Sequence, residues 1–155
     1  MDYKTTVLEN FYIAGISVRT INKDGKAQKD LGELQHKFFT RQIAATIPNK
    51  VSDDVYCAYT DYESDFMGEY TAILGCKVSS VENLPKGLIV KEIPMSTYRV
   101  YKSEGKLPEC IAGTWAEIWR SPDNDRAYKA DFEIYGAEAQ NPENAAVYTY
   151  LSVKE

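Results

Sequence analysis

Apolar and polar residues alternate with period two along several short runs of this chain, and most of those runs are rich in tyrosine and β-branched residues. That is the pattern of half-buried antiparallel strands. Strands are expected near Lys4–Leu8, Tyr12–Thr20, Val55–Tyr62, Tyr70–Ser79, Leu88–Ile93, Thr97–Lys102, Asp131–Tyr135 and Ala146–Val153. Two segments change to helical spacing. From about Gln28 to Thr46, Leu31, Leu34 and Phe38 recur on one face, with Lys29, Glu33 and Lys37 at polar positions, and Pro48-Asn49 ends the run. The second helix is expected from about Pro108 to Trp119, with Pro108 suited to its first turn. Asn22-Lys23-Asp24-Gly25 reads as a turn, Val81–Gly87 as a connector, and Pro122-Asp123-Asn124 and Asn141-Pro142 as loops.

The order of elements occurs twice. Tyr56-Cys57-Ala58-Tyr59 aligns with Phe132-Glu133-Ile134-Tyr135 at an offset of 76, and Leu74–Val78 resembles Leu151–Val153 at a shift of about 77. A duplication is the expectation. The expectation is one α+β domain over residues 1–155, made of two β-α-β-β half-modules at about 1–80 and 87–155.

Composition narrows the function classes. At 155 residues and 44% apolar, the chain can build a core without staples. A net charge of −5 with scattered Lys and Arg argues against a nucleic-acid surface. Cys57, Cys76 and Cys110 have no CxxC spacing, so a disulfide framework or zinc site is not expected. The opening residues lack signal-peptide character, and no apolar run approaches the ~18 residues of a membrane span. A cytoplasmic protein is expected. His36, the single histidine, sits among polar helix positions with no nucleophile motif near it. Asp61, Glu63 and Asp65 lack calcium-loop spacing, and no phosphate-binding glycine loop is present. No metal or cofactor is expected.

The candidate chemistry is aromatic and acidic. Alternation places Glu133 and Tyr135 on one face of their strand and Phe132 and Ile134 on the other. Tyr59 shares the Glu133 face by the repeat alignment. Trp115 and Trp119 are four residues apart and lie on one side of their helix. Each residue also has a plain reading: Glu133 as a solvated carboxylate, and the two tryptophans and Phe38 as core packing.

One pattern is more specific. Gly87-Leu88, Ile93-Pro94, Tyr98, Gly105, Thr114-Trp115, Ile118-Trp119 and Phe132-Glu133-Ile134-Tyr135 follow one another in the second half. Gly68-Glu69-Tyr70 and Leu74-Gly75-Cys76-Lys77-Val78 stand in the first. In order and spacing they resemble the GyrI-like effector-binding domains of AraC-type and MerR-type regulators. Ser96 stands where that family usually has glycine, and its usual proline near the last strand is absent.

The resemblance implies two modules related by a pseudo-two-fold axis, one antiparallel sheet, and two helices on one face flanking a ligand groove. It implies a buried glutamate, Glu133, that meets a lipophilic cation, with Tyr135, Trp115, Trp119, Tyr59 and Phe38 as aromatic walls. It implies a stand-alone small-molecule-binding protein of bacterial regulator type, without direct nucleic-acid or membrane binding; a protein partner or a homodimer is left open. Two alternatives remain at this point. One is a gyrase-inhibitor-like protein-interaction module. The other is a hydrolase of electrophilic small molecules that uses the same glutamate.

Overall fold

A computed structural model describes residues 2–121 and 125–154. The loop expected at Pro122-Asp123-Asn124 lies outside the described residues. The chain runs β1 (Lys4–Leu8), β2 (Phe11–Ile21), α1 (Lys26–Thr40), α2 (Ile43–Thr46), β3 (Val55–Thr60), β4 (Glu69–Val78), β5 (Ile89–Ile93), β6 (Ser96–Gly105), α3 (Glu109–Arg120), β7 (Ala130–Tyr135) and β8 (Ala145–Val153). A single 3-10 turn at Ala137–Ala139 separates β7 from β8.

All eight strands join one antiparallel sheet in the order β1-β6-β8-β7-β3-β4-β2-β5. The order is symmetric about the β7–β3 seam. The unit β2-α1-β3-β4 on one side repeats as β6-α3-β7-β8 on the other. The outer strands are exchanged: β1 opens the chain yet pairs with β6, and β5 pairs back onto β2. At the seam, Cys57 and Glu133 are direct ladder partners. They are also equivalent under the 76-residue offset, so the pseudo-two-fold axis passes between them. The ladders revise the second alignment. Tyr56 pairs with Gly75 and Phe132 with Tyr150, so Leu74 corresponds to Thr149 rather than Leu151.

The two faces of the sheet are buried in different ways. One face carries Ile16, Cys57 and Leu74, which pack under Leu34 and Phe38 of α1. On the same face of the other half, Tyr101, Leu151 and Val153 pack under Ile118 of α3. Among the described residues the opposite face carries no helix and packs on itself. Phe11 of β2 meets Phe132 of β7 at 5.4 Å between centroids although two strands separate them, so the sheet curls strongly. Tyr98, Phe132 and Ile13 are fully buried there. Gly15 and Gly75 are opposite each other, and a Cβ at either would lie 2.1 Å from a carbonyl oxygen of the neighbouring strand. Only glycine permits that approach.

The first helical segment is shorter than its periodicity suggests. α1 stops at Thr40, Gln42 takes a left-handed backbone (φ 50), and α2 restarts at Ile43 in a new direction. Ile43 and Ala44 thereby reach the β2–β4 end of the core. α3 agrees with expectation, with Pro108 at its N-cap. Among the described residues no helix is long and apolar enough to cross a membrane.

Candidate functional site

Two helices standing on one sheet face leave a groove between them, and its floor is the seam of the duplication. β7 brings Asp131, Glu133 and Tyr135 to that face by alternation, and β3 brings Cys57 and Tyr59 from the facing strand. Trp115 comes down from α3. These side chains meet at one carboxylate. Trp115 Nε1 donates to Glu133 Oε2 at 2.6 Å, the Tyr59 hydroxyl donates to the same oxygen at 2.9 Å, and the Tyr135 hydroxyl donates to Oε1 at 2.6 Å.

Glu133 is 1% exposed. Burial pushes its carboxyl above the usual carboxylate range; the hydrogen bonds from Tyr135, Trp115 and Tyr59 pull the other way without cancelling it. The tyrosines respond in kind. Burial, followed by the nearby thiol and carboxyl, raises the Tyr59 hydroxyl, and burial followed by Glu133 raises that of Tyr135. Both remain protonated donors. The Cys57 thiol donates to the Tyr59 hydroxyl at 3.4 Å, and burial raises it as well.

The groove has two chambers. The larger, about 880 Å³, is bounded by Glu133, Tyr135, Cys57 and Val55 on the sheet, Gln35 and Phe39 on α1, Ile111 on α3, and Asp53 and Asp54 beside its mouth. The smaller, about 200 Å³, lies towards Tyr62, Phe66, Tyr70, Trp119 and Arg126. Leu31, Tyr59, Ala112 and Trp115 border both and form the partition. The ring of Trp115 meets that of Tyr59 edge-on at 5.6 Å, so a donor pair and a rigid aromatic wall are one structure.

Most of the sequence candidates converge here, but not all. Glu133, Tyr135, Tyr59 and Trp115 line the larger chamber together. Trp119 does not. It borders only the smaller chamber, is 42% exposed, and stacks on Phe66 at 6.0 Å. Phe38 lies outside the groove. It is 1% exposed and packs with Ile16, Leu34, Cys57 and Leu74, because its side of α1 faces straight down onto the sheet. The α1 wall is supplied instead by Leu31, Gln35 and Phe39. His36 is exposed on α1.

A second buried group was missed from sequence. Asp131 is fully buried and accepts from the Ser152 backbone N–H (2.8 Å), the Ser152 hydroxyl (3.1 Å), the Tyr62 hydroxyl (2.5 Å) and Arg126 Nη2 (2.8 Å). Alternation already placed Asp131 with Glu133, so half of this group was readable. Arg126 stands outside the named helices and strands, where no periodicity marks a side chain as buried. Among the described residues no group of three His, Cys, Asp or Glu could hold a metal ion. The Asp61–Asp65 stretch is surface, with Asp61 paired to Lys91.

Comparison with known proteins bears on the family and the fold. Residues 6–153 match the family model Cass2, described as an integron-associated effector binding protein. YobU of Bacillus subtilis (strain 168), whose name assigns it provisionally to transcriptional regulators, is 28% identical over 146 residues, covering 92% of this chain and 91% of its own. The crystal structure of an integron cassette protein from the mobile metagenome of Vibrio cholerae is 28% identical, with a TM-score of 0.74, over 98% of this chain and 95% of that one. The structure of SAV2435 bound to tetraphenylphosphonium has a TM-score of 0.83 at 17% identity, over 99% and 94% of the two chains; at that identity the likeness is one of fold.

Proposed function

We propose a function from a settled premise: the chain belongs to the Cass2 family of integron-associated effector-binding proteins. It binds a small lipophilic cation in the larger chamber, with Glu133 as the counter-charge. The observation that carries this reading is a carboxylate, 1% exposed, held by three neutral donors and facing a chamber whose described lining contains no Lys, Arg or His. A buried charge without a partner is costly. A delocalised, weakly hydrated cation offsets that cost, and the rings of Tyr59, Trp115 and Tyr135 add cation–π attraction of about 0.5–2 kcal/mol each. A hydrated ammonium or an anion gains less on both counts. That a protein of this fold holds tetraphenylphosphonium supports the same ligand class.

The protein therefore acts as an effector-binding module of the regulator type. The test is thermal unfolding with tetraphenylphosphonium, followed by calorimetry with N-methyl-4-phenylpyridinium and its neutral isostere 4-methylbiphenyl. A cation at 100 times its dissociation constant adds about 2.7 kcal/mol to apparent stability. Equal affinity for the charged and neutral isosteres overturns the role given to Glu133.

A further inference from the structure

The two chambers have opposite polarity. The larger is lined by Asp53, Asp54 and Glu133 and, among the described residues, by no cationic side chain. The smaller has Arg126 as its one charged lining residue, with no carboxylate among those described. Both ends converge on Trp115, whose Nε1 bonds Glu133 while its ring lies 6.0 Å from the Arg126 guanidinium.

Arg126 is 6% exposed and only partly satisfied. Its Nη2 is tied to Asp131, but Nε and Nη1 are buried and have no hydrogen-bond partner. The Tyr128 ring covers the guanidinium at 4.2 Å, and a ring cannot accept those in-plane N–H bonds. Buried donors of native proteins are almost always paired, so an orphaned pair on a cavity wall calls for an acceptor that arrives from outside. Asp131 also decides what kind of acceptor. It already balances the guanidinium at 2.8 Å, and a second carboxylate would be set against the first. A neutral oxygen takes a free N–H without that repulsion.

We propose that the smaller chamber is a subsite for a neutral carbonyl-type oxygen, received by a free N–H of Arg126, on Nε or on Nη1, as the Tyr128 ring shifts aside. The effector is then two-ended: a lipophilic cation at Glu133 and, past the Leu31–Trp115 partition, a ketone, ester or amide among Tyr62, Tyr70 and Phe66. The cationic end rests on the function proposed above; the carbonyl end does not.

Two ligand pairs separate the claims. The first is hexyltriphenylphosphonium against (5-methoxycarbonylpentyl)triphenylphosphonium, with the free 5-carboxypentyl compound as a third arm. The second, free of charge, is benzophenone against diphenylmethane. Calorimetry on the intact chain should show the ester and the ketone binding roughly ten-fold more tightly than their hydrocarbon partners, the usual worth of a hydrogen bond to a charged group. Arg126→Lys keeps a cation for Asp131 but removes Nε and Nη1. In that variant both ratios should fall to about one. If that variant does not fold, the wild-type ratios still decide.

Ratios near one in the wild-type protein overturn the subsite even if phosphoniums bind well. A gain for benzophenone with no binding of any phosphonium keeps the subsite and overturns the cation reading. A carboxylate arm tighter than the ester overturns the neutral oxygen, and unchanged ratios in Arg126→Lys overturn the assignment to Arg126.

Discussion

Cys57 and Glu133 occupy one position in two copies of a module, and they face each other across the axis that relates the copies. Both are buried, at 3% and 1% exposure. One is a small, inert thiol; the other is a carboxyl surrounded by donors from both halves. Tyr59 comes from the copy that carries the cysteine, and Trp115 and Tyr135 from the copy that carries the acid. The duplicated framework thus supplies shape twice, while charge is supplied once. A symmetric pair of glutamates would set two carboxyls side by side in a dry site, where they could not both ionise. Asymmetry at this pair is what allows a single full charge on the floor of the groove.

The comparison can be broken most directly at the acid. Glu133→Gln is nearly isosteric, and it should cost about 2–5 kcal/mol of affinity for N-methyl-4-phenylpyridinium in calorimetry while leaving 4-methylbiphenyl almost unchanged. Equal losses for the two would mean that Glu133 shapes the chamber and does not read charge.

Trp115→Phe keeps a ring but deletes the Nε1–H that Glu133 accepts. Stability measured by denaturant should fall by about 1.5–3 kcal/mol, the range for a hydrogen bond to a charged group. The same loss should move the pH midpoint of cation binding upward, because the ionised carboxyl has lost a donor.

The pH dependence has a definite sign. Glu133 titrates above its ordinary value in the folded protein. Between the unfolded and folded values the native state holds the extra proton, so its contribution to stability declines as pH rises through that window. Cation binding runs in reverse, because only the ionised form pairs. Affinity for tetraphenylphosphonium should weaken about ten-fold per pH unit below the folded value, about 1.4 kcal/mol each, and Glu133→Gln should abolish the slope. At the twin position, Cys57→Ser should change cation affinity by less than about 1 kcal/mol, the net worth of one ordinary hydrogen bond. A large effect there would mean that both copies carry the site.

The sheet was legible in the sequence because its strands obey a two-residue rhythm that ladder pairing does not disturb. The same rhythm put Glu133, Tyr135 and Tyr59 on one face, and helical spacing brought Trp115 above them. Phe38 was misplaced because α1 uses one apolar stripe for two tasks: Leu34 and Phe38 press on the sheet, while Leu31 and Gln35 turn to the groove. Spacing alone does not say where along the stripe one task ends. Arg126 was invisible because its burial comes from its tertiary meeting with Asp131, Tyr128 and Trp115. The exchange of β1 and β5 was equally hidden, since short edge strands carry no mark of their partner.

That exchange has a consequence for how the chain is made. Lys4 finds its ladder partner at Val100, so β1 leaves a ribosome well before the strand it pairs with. Such distant pairing is slow to form and comes late in folding. A polypeptide cut after β4 would leave β1 orphaned, and the remaining piece would leave β5 orphaned in the same way. Two such pieces complete each other by trading their outer strands. The present molecule is therefore built like a strand-swapped dimer whose two subunits have been joined end to end.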